Sequence, residues 1–341
     1  MAILKNPITL PASKMLAAMT TLIGEIRYND TLMATDVVDG LVDSCRIGNV
    51  DAGKGIVYNF KVDVQPVKDL SETSTVTTIT KPNLAQETIV IDNYKFVPLS
   101  VSDILAKDAL VPGYSIDSFH EFVLSLLEDT AKFYLFDICN NLYQDWTPGK
   151  TTQSIEVPQV DVSTLTGADL VAANQLNGAA VAKAIRKTLN NMKIKNTLYT
   201  DVAKYTAQDS TQKDVVSAIS GRDLKLVFND KYYTDFLADT MASLFHASTV
   251  GEMIDAGQLL ILPENAMATK NATTIAWLSD KMKFALADFY KITRSFNDAS
   301  TLYENYFYHF AFGAGVFQTA PGVRFVAKTQ AAASVQSYAA K

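Results

Sequence analysis

The sequence contains few of the residues on which catalytic and metal sites most often depend. Its 341 residues include three histidines and two cysteines, and no pair of histidines has the H-x-x-x-H or H-E-x-x-H spacing. Cys45 and Cys139 lie far apart in sequence and neither belongs to a C-x-x-C pair, so a zinc site is not expected. We interpret both cysteines as buried or free thiols made in a reducing compartment.

Basic residues and long apolar runs are also scarce. There are 30 basic and 36 acidic residues, which give a net charge of −6, and no run of three or more Lys or Arg. Nucleic-acid recognition is therefore not expected as the main role, because proteins that contact phosphates usually carry a basic excess or stripe. No segment reaches the ~18 apolar residues of a membrane span. Lys5, Pro7, Pro11 and Lys14 interrupt the N-terminal segment, so a signal peptide is not expected.

Known catalytic motifs are missing or incomplete. Residues 48–55 nearly match the phosphate-binding G-x-x-x-x-G-K-[ST] loop, but Gly55 replaces the required hydroxyl and a strand follows instead of a helix. There is no G-x-S-x-G elbow and no dinucleotide fingerprint. The series Asp230, Asp235 and Asp239 is typical of a solvated helix face. The sequence therefore predicts no enzymatic activity, no metal and no cofactor.

A long two-stranded ribbon is predicted in the first third of the chain. Residues 56–64 alternate between apolar and polar side chains, as a half-buried strand does. A second strand is predicted over 87–97, and the intervening residues, densest in Thr and Ser over 71–80, form a polar tip. An isolated hairpin is marginal in water, so the ribbon is expected to lie on another surface.

The strongest helical signal covers residues 115–146. Ser118 and Glu121 fit a capping box, and apolar residues recur every three or four positions, which at about 1.5 Å per residue predicts a helix of roughly 40 Å. We assign to the core side of this helix Phe119, Leu126, Tyr134 and Ile138.

An α/β unit is predicted over about 165–295. Residues 150–176 are interpreted as a polar connection, after which Asn177 caps a helix. Short strands are predicted over 224–228, 259–262 and 274–278, with a helix after Asn229 whose apolar side carries Tyr233, Phe236, Leu237, Leu244 and Phe245. An aromatic strand follows over 303–317, and the Ala-rich tail over 329–341 is expected to be loose. A short helix is predicted over 16–26.

The N-terminal arm and the ribbon would expose backbone edges and apolar faces on a monomer. The residues therefore indicate a subunit of an assembly whose extended elements reach onto neighbours.

This order of elements resembles the major capsid protein of tailed bacteriophages, which has the Hong Kong 97-type fold. Three stretches carry the likeness: 89–103 resembles the strand that leaves the extended loop, 224–233 resembles the axial-domain strand that enters a helix, and 303–316 resembles the late aromatic strands before a Pro-Gly turn. The resemblance covers nearly the whole chain. It depends on the order of the elements and on the residue patterns of these three stretches, not on an invariant motif.

The resemblance implies an α+β fold with a defined domain order. The N-terminal arm would span 1–52 and the extended loop 53–97. The peripheral domain would span 98–164 and 300–341, with the spine helix over 115–146, and the axial domain would span 165–299.

The resemblance also implies the function and the partners. Copies of the chain would assemble as pentamers and hexamers into an icosahedral head shell, made in the host cytoplasm and found in the virion. The shell would enclose double-stranded DNA without sequence-specific binding. A separate scaffolding protein, a portal and decoration proteins are the further partners implied.

Contacts between subunits would come from residues of the extended loop, namely Tyr58, Phe60, Lys68, Lys81 and Ile89. Three alternatives stay open: an encapsulin-like nanocompartment shell, which uses the same fold, another phage structural or adhesin-like protein, which the Thr-rich segment would allow, and an unrecognised enzyme within 165–299.

Overall fold

The computed structural model describes residues 36–49, 55–61, 84–102, 116–206, 212–219, 223–233, 259–298, 300 and 303–330. The α-helices within these ranges are α1 (Asp36–Cys45), α2 (Ile116–Asp145), α3 (Gly167–Met192) and the single turn α4 (Asp230–Tyr233), and three short 3-10 helices cover Thr151–Gln153, Glu264–Ala266 and Thr269–Asn271. The strands are β1 (Arg46–Asn49), β2 (Gly55–Lys61), β3 (Leu84–Val90), β4 (Asn93–Ser102), β5 (Ser154–Val160), β6 (Lys204–Thr206), β7 (Gln212–Asp214), β8 (Leu224–Asn229), β9 (Leu259–Leu262), β10 (Thr274–Asp280), β11 (Phe284–Asp298), β12 (Tyr303–Val316) and β13 (Gly322–Gln330).

Two main sheets organise these elements. A four-stranded sheet has the order β1-β11-β12-β4, and a five-stranded sheet has the order β5-β13-β10-β8-β9. The ribbon β2-β3 and the small pair β6-β7 are two-stranded. Strands β11 and β12 pair in antiparallel fashion over almost their whole length, with one bulge between Asp288 and Tyr290.

The long helix α2 packs on the inner face of the four-stranded sheet. Its buried side chains recur every four residues and meet the aromatic side chains that alternate along β12. One helix stripe and one strand face therefore build the first core; its main members are Val123, Leu127, Ala131, Leu135, Cys139, Tyr306, Tyr308, Phe310 and Phe312.

A second core lies between α3 and the five-stranded sheet. Val181, Ile185 and Met192 on α3 pack with apolar residues of β5, β8, β10 and β13. Trp277 of β10 faces the other way and contacts the ring of Tyr143 in α2, with ring centroids 6.0 Å apart. The five-stranded sheet is therefore covered on both faces, which explains why β8 and β10 are almost continuously apolar.

A buried ion pair lies at the turn that connects the two sheets. Lys283 lies in the turn between β10 and β11 and is 0% exposed, and its Nζ donates to Asp201 Oδ2 at 2.7 Å and to the Ala320 carbonyl at 2.8 Å. Trp146 Nε1 and Gln153 Nε2 donate to the same carboxylate at 3.0 and 2.7 Å. Burial lowers the pKa of Lys283, and the charge of Asp201 opposes that shift.

Several sequence predictions are confirmed. The long helix begins and ends within one residue of the predicted bounds, at Ile116 and Asp145. The strands predicted at 224–228, 259–262, 274–278 and 303–317 are all present. The first ribbon strand is present as β2, and its predicted last residues, 62–64, lie outside the described residues, as do the helix at 16–26, the ribbon tip at 71–80 and the tail beyond Gln330.

The polar connection predicted over 150–176 and the cap predicted at Asn177 were wrong, whereas the helix predicted after that cap is present as the second part of α3. This stretch contains strand β5 and a helix that begins at Gly167, ten residues before the predicted cap. Asn177 is buried inside α3, where its Oδ1 accepts from the Val160 N–H at 2.7 Å and its Nδ2 donates to the Val160 carbonyl at 3.1 Å. Asn177 therefore pairs with the end of β5 as a neighbouring strand would, and it does not cap a helix.

The single strand predicted over 87–97 was also wrong. The chain leaves β3 after Val90 and begins β4 at Asn93, so these residues belong to two sheets. Strand β3 pairs with β2 in the ribbon, whereas β4 pairs with β12 in the four-stranded sheet. Strands β11 and β13 were not predicted.

Two residues assigned to the helix core are exposed in the subunit. Leu126 is 43% exposed and Tyr134 is 38% exposed, because the buried stripe of α2 follows every fourth residue from Val123 and leaves them on its flank. Ile138 is half-buried and packs against the core, as predicted. The side chain of Phe119 lies outside the described part.

Sheet pairing does not follow the predicted domain boundaries. The five-stranded sheet takes β5 and β13 from one predicted domain and β8, β9 and β10 from the other. Likewise, β11 was assigned with 165–299, but it pairs with β12 in the four-stranded sheet. The physical reason is that the chain passes repeatedly between the sheets, so that no single cut in sequence separates them.

Candidate functional site

The ribbon lies on the outer face of the four-stranded sheet, on the side opposite α2. Ile56 and Ile91 are buried there, and Ile89 is half-buried beside them. The sheet residues beneath are small, namely Ala285, Ala287 and Ala311. Small side chains allow the two layers to approach closely, so this part of the sheet is matched to the ribbon of its own chain.

Glycine in β12 permits the closest approach. A Cβ at Gly313 would lie 2.5 Å from the carbonyl oxygen of Val90, and one at Gly315 would lie 3.1 Å from the Ile89 side chain. No ordinary side chain fits at the first position without moving the ribbon backbone. The pattern F-G-A-G in β12 is therefore explained by ribbon docking.

A carboxylate fixes the root of the ribbon. Glu87 accepts from the backbone N–H groups of Gln318 and Thr319, both at 3.1 Å, and from the Thr319 hydroxyl. The ring of Tyr58 stacks on Phe317 with centroids 5.4 Å apart. Burial raises the pKa of Tyr58 well above its usual value, and the charges of Asp280 and Glu87 add to that shift.

Beyond the ribbon, the same outer sheet face is aromatic, and none of the described helices and strands covers it. We call it the aromatic face and define it by Tyr94 and Phe96 of β4, Ile292 and Phe296 of β11, and Tyr303, Phe307 and His309 of β12. Tyr94, Phe96 and Phe296 are 64%, 56% and 63% exposed. Exposure of this degree in adjoining large apolar side chains is typical of an interaction surface.

Strand register makes the aromatic face continuous. Phe96 lies opposite His309 on β12, which in turn lies opposite Ile292 on β11. The rings of Phe96 and His309 are 5.8 Å apart, and those of Phe96 and Phe307 are 6.1 Å apart. The three strands therefore present an apolar cluster around Phe96, His309 and Ile292 beside the docked ribbon, and Arg294 and Asn305 lie on the same face between this cluster and Phe296.

The flank of α2 contributes a second apolar region. Tyr134 makes edge contacts with the rings of Phe310 and Phe312, both 6.0 Å away. Next to it lies an open cavity of about 650 Å³, whose lining combines Ile138, Leu142 and Val316 with polar residues such as Asn141 and Asp145.

The structure brings together few of the residues predicted at the site. Tyr58 and Ile89 pack on the sheet of their own chain. Lys68, Lys81 and the side chain of Phe60 lie outside the described part. Sequence reasoning did not identify the aromatic face. A signal was present, because β12 carries apolar residues at both odd and even positions over 303–312, which predicts cover on both faces.

The described residues hold no group of three or more His, Cys, Asp or Glu side chains placed to bind a metal ion. Cys45 of α1 and Cys139 of α2 are both buried, and they share a hydrogen bond but no disulfide. The hydrogen bond with Cys45 and burial together raise the pKa of Cys139. Within the described ranges, no helix is long and apolar enough to span a membrane.

Comparison with known proteins identifies a family. The model of the Phi29-like phage major capsid protein family matches residues 58–326, more than three quarters of the chain. No curated protein sequence matches. A capsid structure of Staphylococcus phage Andhra is similar, with a TM-score of 0.57 and 8% identity over 84% of this chain and 83% of that chain. A capsid structure of the cyanophage P-SCSP1u has a TM-score of 0.53 and 12% identity over 84% and 87%.

Proposed function

Because this chain belongs to the Phi29-like phage major capsid protein family, we propose that the aromatic face and the ribbon build the shell of a phage head. The chain is a major capsid protein with the Hong Kong 97-type fold, and its place is the virion. Its role is structural, and its copies associate with one another in the capsid. The proposal concerns which residues make those contacts.

The exposed aromatic face is the observation that supports the proposal most strongly. We propose that a neighbouring copy of the chain covers this face in the shell. Fully burying a large apolar side chain contributes roughly 1.5–3 kcal/mol, so covering the exposed halves of five such side chains contributes on the order of 5 kcal/mol before the cost of association. A single contact of this size is modest, and a shell is stable because each subunit makes several of them.

The ribbon is the second proposed contact. Its root is fixed by Glu87, Tyr58 and Ile89 on its own sheet. A fixed root lowers the entropic cost of any contact that the loop residues make with a neighbouring subunit. We therefore assign Tyr58 and Ile89 to positioning the ribbon, and Phe60, Lys68 and Lys81 to contact with the neighbouring subunit.

We propose a domain division that follows the sheets. The four-stranded sheet and α2 form the peripheral domain, and the five-stranded sheet and α3 form the axial domain. Residues 1–52 are the arm and 53–90 the extended loop. Pentamers and hexamers of these subunits close into an icosahedral shell, as symmetric rings allow.

Further partners are proposed on the same basis. The shell encloses double-stranded DNA without reading its sequence, and a net charge of −6 limits its grip on phosphates. A separate scaffolding protein guides assembly, and a portal and decoration proteins complete the head.

A charge placed on the aromatic face tests the proposal. Phe96→Lys should leave the subunit folded, because residue 96 is 56% exposed, and should reduce assembled particles at least tenfold. The matched control is Val171→Lys on α3, at a residue that is also 56% exposed. Particle yield is measured by sedimentation and electron microscopy, and folding by circular dichroism. Equal yields from the two variants would show that the aromatic face is not an assembly contact.

A further inference from the structure

The two cysteines of the chain are neighbours in the core between α2 and the four-stranded sheet. Cys45 is the last residue of α1 and Cys139 lies in the second half of α2, and both are 0% exposed. The two thiols share a hydrogen bond. They are 94 residues apart in sequence, so the packing of α1 on α2 is what brings them together. The contacts proposed above between subunits use neither thiol.

The backbone holds Cys45 in place from both sides. Before it, Leu41 and Val42 of α1 are buried in the same core. After it, Arg46 begins β1, and its guanidinium pairs with the carboxylate of Asp288 in β11 at 2.8 Å. A disulfide needs two sulfur atoms that already lie close together on backbones that cannot drift apart. The pair formed by Cys45 and its hydrogen-bond partner meets this requirement.

The surroundings make the two thiols chemically unequal. The hydrogen bond with Cys139 lowers the pKa of Cys45, although burial opposes that shift. The positive charge of Lys225 on β8 and hydrogen bonds with Ser44 and Tyr143 also favour the Cys45 thiolate. Cys139, whose pKa is raised, keeps its proton. A thiolate beside a neutral thiol is the arrangement in which one sulfur attacks an oxidant and the other completes a disulfide.

We propose that Cys45 and Cys139 form a modification site, at which hydrogen peroxide generates a disulfide between α1 and α2. The Cys45 thiolate attacks one peroxide oxygen and the O–O bond breaks, which gives a sulfenic acid and a hydroxide that takes up a proton to become water. The Cys139 thiol then attacks the sulfenic sulfur. The S–S bond forms, the S–O bond breaks, and the hydroxyl leaves as water with the Cys139 proton. Two thiols thus lose two electrons and two protons, and one peroxide is reduced to two waters.

A small oxidant suits this site better than a bulky one. Both thiols are buried, so a large disulfide such as oxidised glutathione reaches them only after extensive unfolding. Hydrogen peroxide is little larger than water and needs only a local opening. Helix α1 supplies that opening, because it has ten residues and a helix of this length is marginal without its packing contacts. Its opening therefore costs less free energy than unfolding of the whole chain.

The disulfide holds α1 on α2. It closes a long loop, which restricts the unfolded chain and stabilises the folded one. Such a bond persists in oxidising surroundings, as around a virion outside a cell. The inference goes beyond the proposed function and does not depend on which faces of the subunit join in the shell.

Peptide mapping of the full chain tests whether the bond forms. The folded chain is treated with hydrogen peroxide without denaturant, then unfolded, blocked with N-ethylmaleimide and digested with trypsin. Cys45 and Cys139 fall in separate tryptic peptides, 28–46 and 133–150. We expect these peptides joined in most copies, and released by dithiothreitol. Two free thiols, or a sulfinic acid without the joined peptides, would overturn the proposal. In a mixture of ¹⁵N-labelled and unlabelled chains, joined peptides of mixed label would also overturn it.

Matched single variants test the role of each thiol. In Cys139→Ser, the sulfenic acid of Cys45 has no thiol to attack it and should be labelled by dimedone. In Cys45→Ser, Cys139 should react with peroxide at least tenfold more slowly than Cys45 does in Cys139→Ser. Equal rates would overturn the assignment of Cys45 as the attacking thiol. Cys45→Ala and Cys139→Ala give the same comparison without a buried hydroxyl, should either serine variant fail to fold.

Hydrogen exchange tests what the disulfide does to the fold. In the oxidised chain, amide exchange in α1 should slow at least tenfold while exchange in α3 stays unchanged, and the melting temperature should rise by about 5 °C. The double variant Cys45→Ser/Cys139→Ser, treated in the same way, should show neither change, which controls for oxidation of methionines. Unchanged exchange in α1 of the oxidised chain would overturn the proposed role. These readouts do not require shells, so failure of the proposed assembly contacts leaves them unaffected.

Discussion

Two adjacent leucines in α2 give a sharp test of how this helix packs. Leu127 is 1% exposed and belongs to the core between α2 and the four-stranded sheet, whereas Leu126 is 43% exposed on the flank of the helix. Leu127→Ala and Leu126→Ala remove the same atoms from neighbouring positions of one helix. Any difference in stability therefore reports the difference in burial.

The expected magnitudes follow from that burial. A fully buried Leu→Ala change costs about 3 kcal/mol, because transfer free energy is lost and a cavity remains. At Leu126 much of the side chain already contacts solvent and no closed cavity forms. The cost there is about 1 kcal/mol or less, partly offset by the higher helix propensity of alanine.

Urea unfolding of the unassembled subunit measures the difference. Trp146 and Trp277 are good reporters, because both are buried and both contact aromatic rings of the same core. With a slope of about 3 kcal/mol per M, the unfolding midpoint should fall by about 1 M in Leu127→Ala and by under about 0.3 M in Leu126→Ala. Equal shifts, or a larger shift for Leu126→Ala, would refute the assigned orientation of α2.

Two further predictions concern the sheet that carries the aromatic face. Gly313→Val places a Cβ only 2.5 Å from the Val90 carbonyl oxygen, so the ribbon should move off the sheet and proteolytic cleavage within 62–83 should become faster. The control variant Ser100→Val, on the same sheet, should leave the cleavage rate unchanged. Equal cleavage rates in the two variants would contradict ribbon docking. Burial raises the pKa of Tyr308 to about 12, so its contribution to the free energy of unfolding is complete below about pH 10 and declines as the pH rises to the folded-state value. As the pH rises between these values, the free energy of unfolding should therefore fall less in Tyr308→Phe than in the unsubstituted chain. Identical dependence on pH in the two proteins would contradict the raised pKa of Tyr308.

The elements that the sequence predicted well have a single environment on each face. Strand β2 alternates because one side packs on the sheet, and α2 is long enough for its apolar repeat to be unmistakable. The strands around 226, 261 and 276 are short apolar runs inside a sheet that is covered on both faces. In these places local pattern and tertiary environment agree.

The missed elements depend on contacts that are distant in sequence. Asn177 has the composition of a helix cap, yet it is buried because it pairs with Val160, seventeen residues earlier. The break between β3 and β4 at residues 91–92 was missed because apolar residues occur on both sides of it, although Asp92 and Asn93 are residue types that favour turns. Strand β11 lacks a regular pattern because its first half lies under the ribbon, its second half bears the aromatic face, and a bulge at Asp288 separates them.

The sequence predicted that the chain has a surface for contact with other subunits, but it did not predict which residues form that surface. The ribbon was correctly expected to lie on another surface, and its root lies on its own sheet. Leu126 and Tyr134 were assigned to the core because a helical repeat cannot show which of two adjacent apolar stripes faces the sheet. The aromatic face required the register between β4, β11 and β12, which only the folded chain supplies.

Cryo-electron microscopy of assembled particles of the full chain tests most directly whether the aromatic face joins subunits. We expect closed shells in which the aromatic face of each subunit, centred on Phe96 and His309, is covered by a neighbouring copy. Shells in which that face is open to solvent would contradict the proposed contact.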